Sequence, residues 1–188
     1  YTSTEYPPEL QISLHNELSY SDVWPARLYF CCIVAAQTGG STIIADSRAL
    51  LNDLSPDLVA LFEKKGVTYV RNLHGGTGVT IGKSWQQTFE TDNKLMVDQY
   101  CKDRNITYEW KPDGGLRLIQ TRPAIAIHPK TGEKVWFNQV EQFHPSTNSP
   151  GVYEAIMDIY GDSLFDMPQY GCFGDGSPIP DEMLMEVR

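Results

Sequence analysis

The sequence predicts a mainly β domain with helices inserted between antiparallel strands. Short runs rich in aromatic and β-branched residues recur along the chain, bounded by Gly, Pro, Asn or Asp. Two tight turns, Pro112-Asp113-Gly114-Gly115 and Pro129-Lys130-Thr131-Gly132, separate consecutive runs and so join antiparallel neighbours. The helical patterns fall singly between groups of strands, which argues against a βαβ repeat. At 188 residues the chain suits a single domain, residues 1–188, with a core that needs no staples.

Taken in order, Leu10-Gln11-Ile12-Ser13-Leu14 alternates apolar and polar residues, the mark of a half-buried strand running into His15. Residues 27–36 (RLYFCCIVAA) form a nearly continuous apolar run, short for a helix and read as a central strand, before Gly39-Gly40 turns the chain. From Asp46 the pattern becomes helical. Ser55-Pro56-Asp57 starts a second helix with Ser as N-cap and Pro at the first position; Leu58, Leu61 and Phe62 make its apolar face, and Gly66 stops it. Residues 67–73 (VTYVRNL) read as a strand, and residues 75–82, with four glycines, as a loop. A helix is expected over residues 92–104, with Leu95, Met96, Tyr100 and Cys101 facing in as core. Residues 106–110, 116–127 and 134–139 then make a three-stranded meander. After Pro150 an amphipathic helix carries Val152, Ile156 and Ile159 up to Gly161. A loop containing Gly171, Gly174 and Gly176 leads to a last helix near Pro180-Asp181.

Composition excludes several classes of function. A net charge of −9 argues against a nucleic-acid surface, which needs clustered Lys and Arg. The four cysteines, Cys31, Cys32, Cys101 and Cys172, show no zinc or disulfide spacing and read as reduced thiols of a cytoplasmic protein. No segment approaches the length of a membrane span, and the first residues lack the basic and apolar regions of a signal peptide. Neither Ser47 nor Ser84 sits in a nucleophile elbow, and no carboxylate spacing marks a glycosidase. The chain begins without Met and ends inside a predicted helix, so part of a longer polypeptide is expected.

The chemistry concentrates in Leu14-His15-Asn16-Glu17. Side chains two residues apart on an extended chain point the same way, so His15 and Glu17 can offer two ligands to one metal. Two histidines and one carboxylate with open positions are the preference of non-heme Fe(II) oxygenases. Further motifs follow: Arg27-Leu28-Tyr29-Phe30, Gly39-Gly40-Ser41-Thr42 with Ala45-Asp46-Ser47-Arg48, and Val70-Arg71-Asn72. Then come Trp85-Gln86-Gln87-Thr88-Phe89, Trp136-Phe137-Asn138-Gln139 and Gly174-Asp175-Gly176-Ser177-Pro178.

In this order the motifs resemble those of the TauD/TfdA family of Fe(II)- and 2-oxoglutarate-dependent dioxygenases, in particular its amino-acid hydroxylase branch from peptide natural-product pathways. The resemblance implies a double-stranded β-helix, or jelly roll. It implies that His15 and Glu17 are iron ligands and that the Thr42 hydroxyl bonds the distal carboxylate of 2-oxoglutarate, a charge-assisted contact. It also implies hydroxylation of an aliphatic carbon of a small amino-acid-like substrate, free or bound to a carrier protein, with succinate and CO2 as co-products. A filled carboxylate position, Glu17, disfavours the related halogenases. Candidate substrate contacts are Gln11, Arg71, Asn72, Asn138 and Gln139, polar residues within or beside predicted strands. For Arg71 and Asn72 a solvated strand end is the competing reading, and Trp85 and Trp136 read most simply as core.

The family's second iron histidine and the arginine that pairs with 2-oxoglutarate have no match here. His128 precedes Pro129 in a polar turn; His74 and His144 lie in loops, where each could approach a substrate or serve an ordinary turn. The expectation is an incomplete jelly roll with an uncovered sheet edge and weak iron binding by the chain alone. The competing class of function is a non-catalytic jelly-roll module for binding or assembly.

Overall fold

A computed structural model of the chain describes residues 12–76 and 82–188. Its elements are α1 (Ser47–Asp53), α2 (Pro56–Lys65), β1 (Val67–Leu73), α3 (Trp85–Phe89), α4 (Lys94–Asp103), β2 (Thr107–Trp110) and β3 (Leu116–Arg122). They continue with β4 (Ile125–Ile127), β5 (Lys134–Trp136), α5 (Val140–Phe143), α6 (Pro150–Tyr160), β6 (Gln169–Phe173) and α7 (Asp181–Val187).

The organising strand is β1. Its period of two puts Val67, Tyr69, Arg71 and Leu73 on one face and Thr68, Val70 and Asn72 on the other. It is hydrogen-bonded on both sides in an antiparallel sheet of order β2-β3-β1-β6, with Tyr69 opposite Gln120 on one side and Gly171 on the other. The first face carries two apolar clusters. One gathers Phe62, Tyr69, Trp136 and Phe143, and the other Leu73, Trp85, Val97 and Leu116. Arg71 falls between them in the strand. On the second face Val70, Tyr170 and Cys172 meet Ile156 and Tyr160 of α6. Full burial of a side chain such as Phe62 contributes roughly 1.5–3 kcal/mol, so these clusters hold β1 at the centre.

Several expectations hold at the level of single elements. Gly66, at φ 64°, ends α2 as the cap glycine, and β1 spans residues 67–73 as expected. Ser55 precedes α2, but its hydroxyl donates to Glu186 Oε2 at 3.1 Å and does not cap the helix. The glycine-rich stretch 75–82 lies partly outside the described residues, as do Leu10 and Gln11.

Others are corrected. Residues 12–16 run as coil, and Glu17 opens a turn in place of continuing a strand. Residues 27–36 form no strand among the described residues. A buried strand needs a bonded neighbour on each side, none is present, and Tyr29 and Val34 stand 83% and 86% exposed. The expected strand 116–127 divides at Pro123, which has no N–H to donate: β3 stays in the four-stranded sheet and β4 pairs with β5 in a separate hairpin. The meander therefore becomes two hairpins with β1 beside β3. In α4, Val97 and Cys101 are buried while Leu95, Met96 and Tyr100 are exposed, because Val97 and Cys101, four residues apart, are the pair aimed at the second cluster. Gly171, read as loop, lies within β6. The described residues form antiparallel sheets with flanking helices and no closed barrel.

Candidate active site

His15 and Glu17 face one another, with Nε2 and Oε2 3.3 Å apart. No regular element carries them, so the segment is held by side chains. Ser13 Oγ donates to Glu141 Oε2 at 3.1 Å, and Asn16 donates to Ser47 Oγ at 3.2 Å. The backbone N–H and hydroxyl of Ser19 donate to Gln139 Oε1 at 3.2 and 3.1 Å. These bonds tie the segment to α5 and to the start of α1. Leu18, at φ 55°, turns the chain between the pair and its Ser19 anchor.

The two ring nitrogens of His15 have different partners. Its Nδ1 lies 2.9 Å from the Ser13 carbonyl, which can only accept, so Nδ1 carries the proton. Nε2 faces the Glu17 carboxylate, an arrangement that a metal cation between them would satisfy. Metal-ligating histidines commonly donate their second N–H to a backbone carbonyl in this way. The donor set thus fits two ligands of a divalent metal site. Among the described residues no group of three or more His, Cys, Asp or Glu side chains gathers to hold a metal.

The other singled-out residues are dispersed. Thr42 stands exposed in coil, five residues before Ser47, the residue that Asn16 bonds. Asn72 spends its amide on the main chain: Nδ2 donates to the carbonyls of Phe165 (2.8 Å) and Met167 (2.6 Å), and Oδ1 accepts from Arg117 Nε at 2.9 Å. Asn138 is buried, donating to Ala124 O and accepting from the Val140 N–H. Gln139 is a hub: besides Ser19, its N–H donates to Tyr69 Oη at 3.0 Å and its Nε2 to Gln142 Oε1 at 3.1 Å. Burial pushes the Tyr69 phenol well above its usual range, so it remains a neutral hydroxyl. His128 is exposed in its turn, with the Thr131 N–H donating to Nδ1, and His74 Nδ1 accepts from the Gly76 N–H. His144 is buried; Nε2 donates to Ile179 O at 3.1 Å, and burial lowers its pKa. Gln11 lies outside the described residues.

A cavity of about 970 Å³ opens beside these groups. Its wall includes the charged residues Arg71, Lys83 and Glu90, the polar residues Tyr20, Asn72, Gln142 and Asn148, and, on its apolar side, Val152 and Ile156 of α6. Gln142 Nε2 donates to the Ser13 carbonyl at 3.3 Å, the same oxygen that accepts from His15. One carbonyl therefore links the cavity wall to the candidate metal ligand.

Comparison with known proteins bears on the whole chain. The family described as "Taurine catabolism dioxygenase TauD, TfdA family" matches residues 1–188. This chain belongs to the TauD/TfdA family. The dapdiamide synthesis protein DdaC of Enterobacter agglomerans is 37% identical over 188 residues, covering 100% of this chain and 55% of DdaC. The clavaminate synthase-like protein At3g21360 of Arabidopsis thaliana is 30% identical over 190 residues, covering 98% of this chain and 54% of that protein. The chain spans about half the length of the curated relatives it matches.

TauD/TfdA proteins in general depend on Fe(II) and 2-oxoglutarate, and the facing His15 and Glu17 suit the metal. The sequence reading did not single out Gln142. Its spacing of three from Gln139 in a short helix was the available signal, since residues at that spacing share a helix face. No described helix is long and apolar enough to cross a membrane.

Proposed function

We propose that the full-length protein is an Fe(II)- and 2-oxoglutarate-dependent dioxygenase that hydroxylates an aliphatic carbon of a small amino-acid-like substrate, free or bound to a carrier protein. The observation that carries this reading is the approach of His15 to Glu17, at 3.3 Å, inside a chain that matches the TauD/TfdA family from end to end. The setting is supported by a relative named for dapdiamide synthesis. In this reading strands from outside residues 1–188 complete the jelly roll, supply the third iron ligand, and cover the apolar stretch that includes Phe30, Ile33, Val34, Ile43 and Ile44, each more than 70% exposed.

Iron and the keto acid, when bound, supply the oxidising power: one atom of O2 goes into the new hydroxyl group, the other into succinate, and CO2 leaves. The chain's own residues bind and orient. His15 Nε2 and Glu17 would hold the metal, and the Ser13 carbonyl keeps the ring in the tautomer that frees Nε2. Gln139, fixed by the neutral Tyr69 hydroxyl, holds Ser19 and with it the segment that follows Glu17. Thr42 would donate its hydroxyl to the distal carboxylate of 2-oxoglutarate.

The test is succinate formation by the full-length protein, which should require Fe(II), O2 and 2-oxoglutarate together. His15→Ala should lower it more than about 100-fold, beyond the loss expected from removing an outer partner of a metal ligand. Undiminished succinate release by that variant would refute the metal assignment. A full-length protein that binds neither Fe(II) nor 2-oxoglutarate in calorimetry would be a binding or assembly module.

A further inference from the structure

Among the described residues Arg71 is a cation without a counter-ion. It lies on the face of β1 that carries both apolar clusters, between Tyr69 and Leu73, and is largely buried. Its partners are neutral: Nη2 donates to Gln120 Oε1 at 3.0 Å, and the guanidinium lies 4.6 Å from the centre of the Tyr20 ring. Gln120 is itself oriented, because its Nε2 donates to the Tyr20 carbonyl at 3.0 Å. The Nε of Arg71 is buried and has no acceptor among the described residues.

Arg122, which bonds the Tyr20 and Thr121 carbonyls, likewise has no carboxylate partner among the described residues, but it borders no part of the cavity; other arginines are paired. Arg117 pairs with Asp166 and Glu109, Arg188 with Glu141, and Arg104 with Asp22. Among the described residues no carboxylate lies within ion-pair distance of Arg71. Burial is the main influence on its guanidinium and pulls its pKa down, the signature of a charge whose solvation is unreplaced. Buried cations normally find a carboxylate, and this one borders a cavity instead.

The rest of the cavity restricts what can supply that carboxylate. Gln142 and Asn148 add amide groups and Lys83 a second cation; Glu90, the one carboxylate among the lining residues, makes no ion pair with Arg71; and Val152, Ile156 and Ile159 of α6 offer aliphatic surface, Val152 and Ile159 being 47% and 68% exposed. The volume, about 970 Å³, is at the upper end of small-molecule sites. We propose that this cavity binds an aliphatic carboxylate, with the Arg71 guanidinium as its counter-ion. The identification of that ligand as the substrate rests on the dioxygenase reading; the carboxylate site itself does not. The same chemistry is offered by an amino-acid substrate and by 2-oxoglutarate.

Calorimetry on the full-length protein in metal-free buffer tests the site, with norvaline and 2-oxoglutarate as probes. At least one probe should bind, and Arg71→Met should weaken it by about tenfold or more, as expected for the loss of a buried charged partner. The melting temperature of the ligand-free variant should equal or exceed that of the parent, since an apolar side chain replaces an unpaired charge; a purely structural arginine would give a fall. Loss confined to norvaline assigns the carboxylate to the substrate, and loss confined to 2-oxoglutarate assigns it to the co-substrate. Unchanged affinity for both probes, or no binding by the parent, overturns the proposal. If Arg71→Met does not fold, Arg71→Lys should retain binding that Arg71→Gln loses, and equal binding by the two overturns it. Because no metal is present, a protein that forms no succinate yet binds norvaline through Arg71 would refute the dioxygenase reading alone.

Discussion

At the scale of the residue, Gly171 shows how one missing side chain places an element. A Cβ there would sit 2.7 Å from Val140 Cγ2 and 2.9 Å from the Val140 carbonyl, so α5 can lie against β6 only because residue 171 is glycine. This contact brings Gln142 to the cavity and both Gln139 and Gln142 to the His15 segment. Gly171→Ala should therefore destabilise the fold by roughly 1–3 kcal/mol, the range for overpacking a core, outweighing the smaller gain from a stiffer unfolded chain. Urea denaturation checks this, and a variant as stable as the parent would show that α5 shifts without cost. A glycine beside Gly174 and Gly176 reads as loop in sequence, because close approach of backbone to a neighbouring helix leaves no local mark. Asn72 makes the same point: Val70-Arg71-Asn72 was legible as a motif, yet both polar residues border the cavity, and that Asn72 is spent on the main chain and Arg117 depends on partners about 45 to 95 positions away.

At the scale of the element, a short helix is fixed where the chain satisfies its own backbone. Ser84 and Gln87 make a reciprocal capping box at the start of α3, Ser84 accepting from the Gln87 N–H at 3.1 Å and its N–H donating to Gln87 Oε1 at 3.0 Å. The cap points Trp85 into the second cluster, where it meets Trp110 edge to face with ring centroids 5.1 Å apart. Ser84→Ala should cost about 1 kcal/mol, the usual value of a lost N-cap, and thermal unfolding should show it as a lower midpoint. An unchanged midpoint would mean that the packing of Trp85 alone sets α3. The helix face of α4 was harder to read. Leu95, Met96, Val97, Tyr100 and Cys101 offer two overlapping apolar stripes, and only the position of the sheet selects Val97 and Cys101.

At the scale of the whole molecule, the unmatched feature is the apolar coil through residues 28–44. Tyr29, Phe30, Ile33, Val34, Ile43 and Ile44 are exposed together, far more apolar surface than scattered surface residues present. The 188-residue chain should enhance the fluorescence of an anilinonaphthalene sulfonate dye several-fold more, mole for mole, than the full-length protein. Equal fluorescence would mean that the full-length protein leaves this stretch uncovered as well.

Adjacency in the chain was enough to establish the start of α1 at Asp46, the ends of α2, the span of β1 and the hairpin turns. Each depends on contacts within a few residues, where spacing and turn chemistry act directly. Tertiary structure alone decided that Pro123 divides a strand between two sheets, that residues 27–36 lie as coil, and that Gln139 and Gln142 brace the His15–Glu17 segment. It also left Arg71 facing a cavity with no carboxylate within ion-pair distance among the described residues. Those outcomes depend on which distant groups come within hydrogen-bonding or packing distance, and a buried charge or an apolar run carries no record in the sequence of whether a partner will be there.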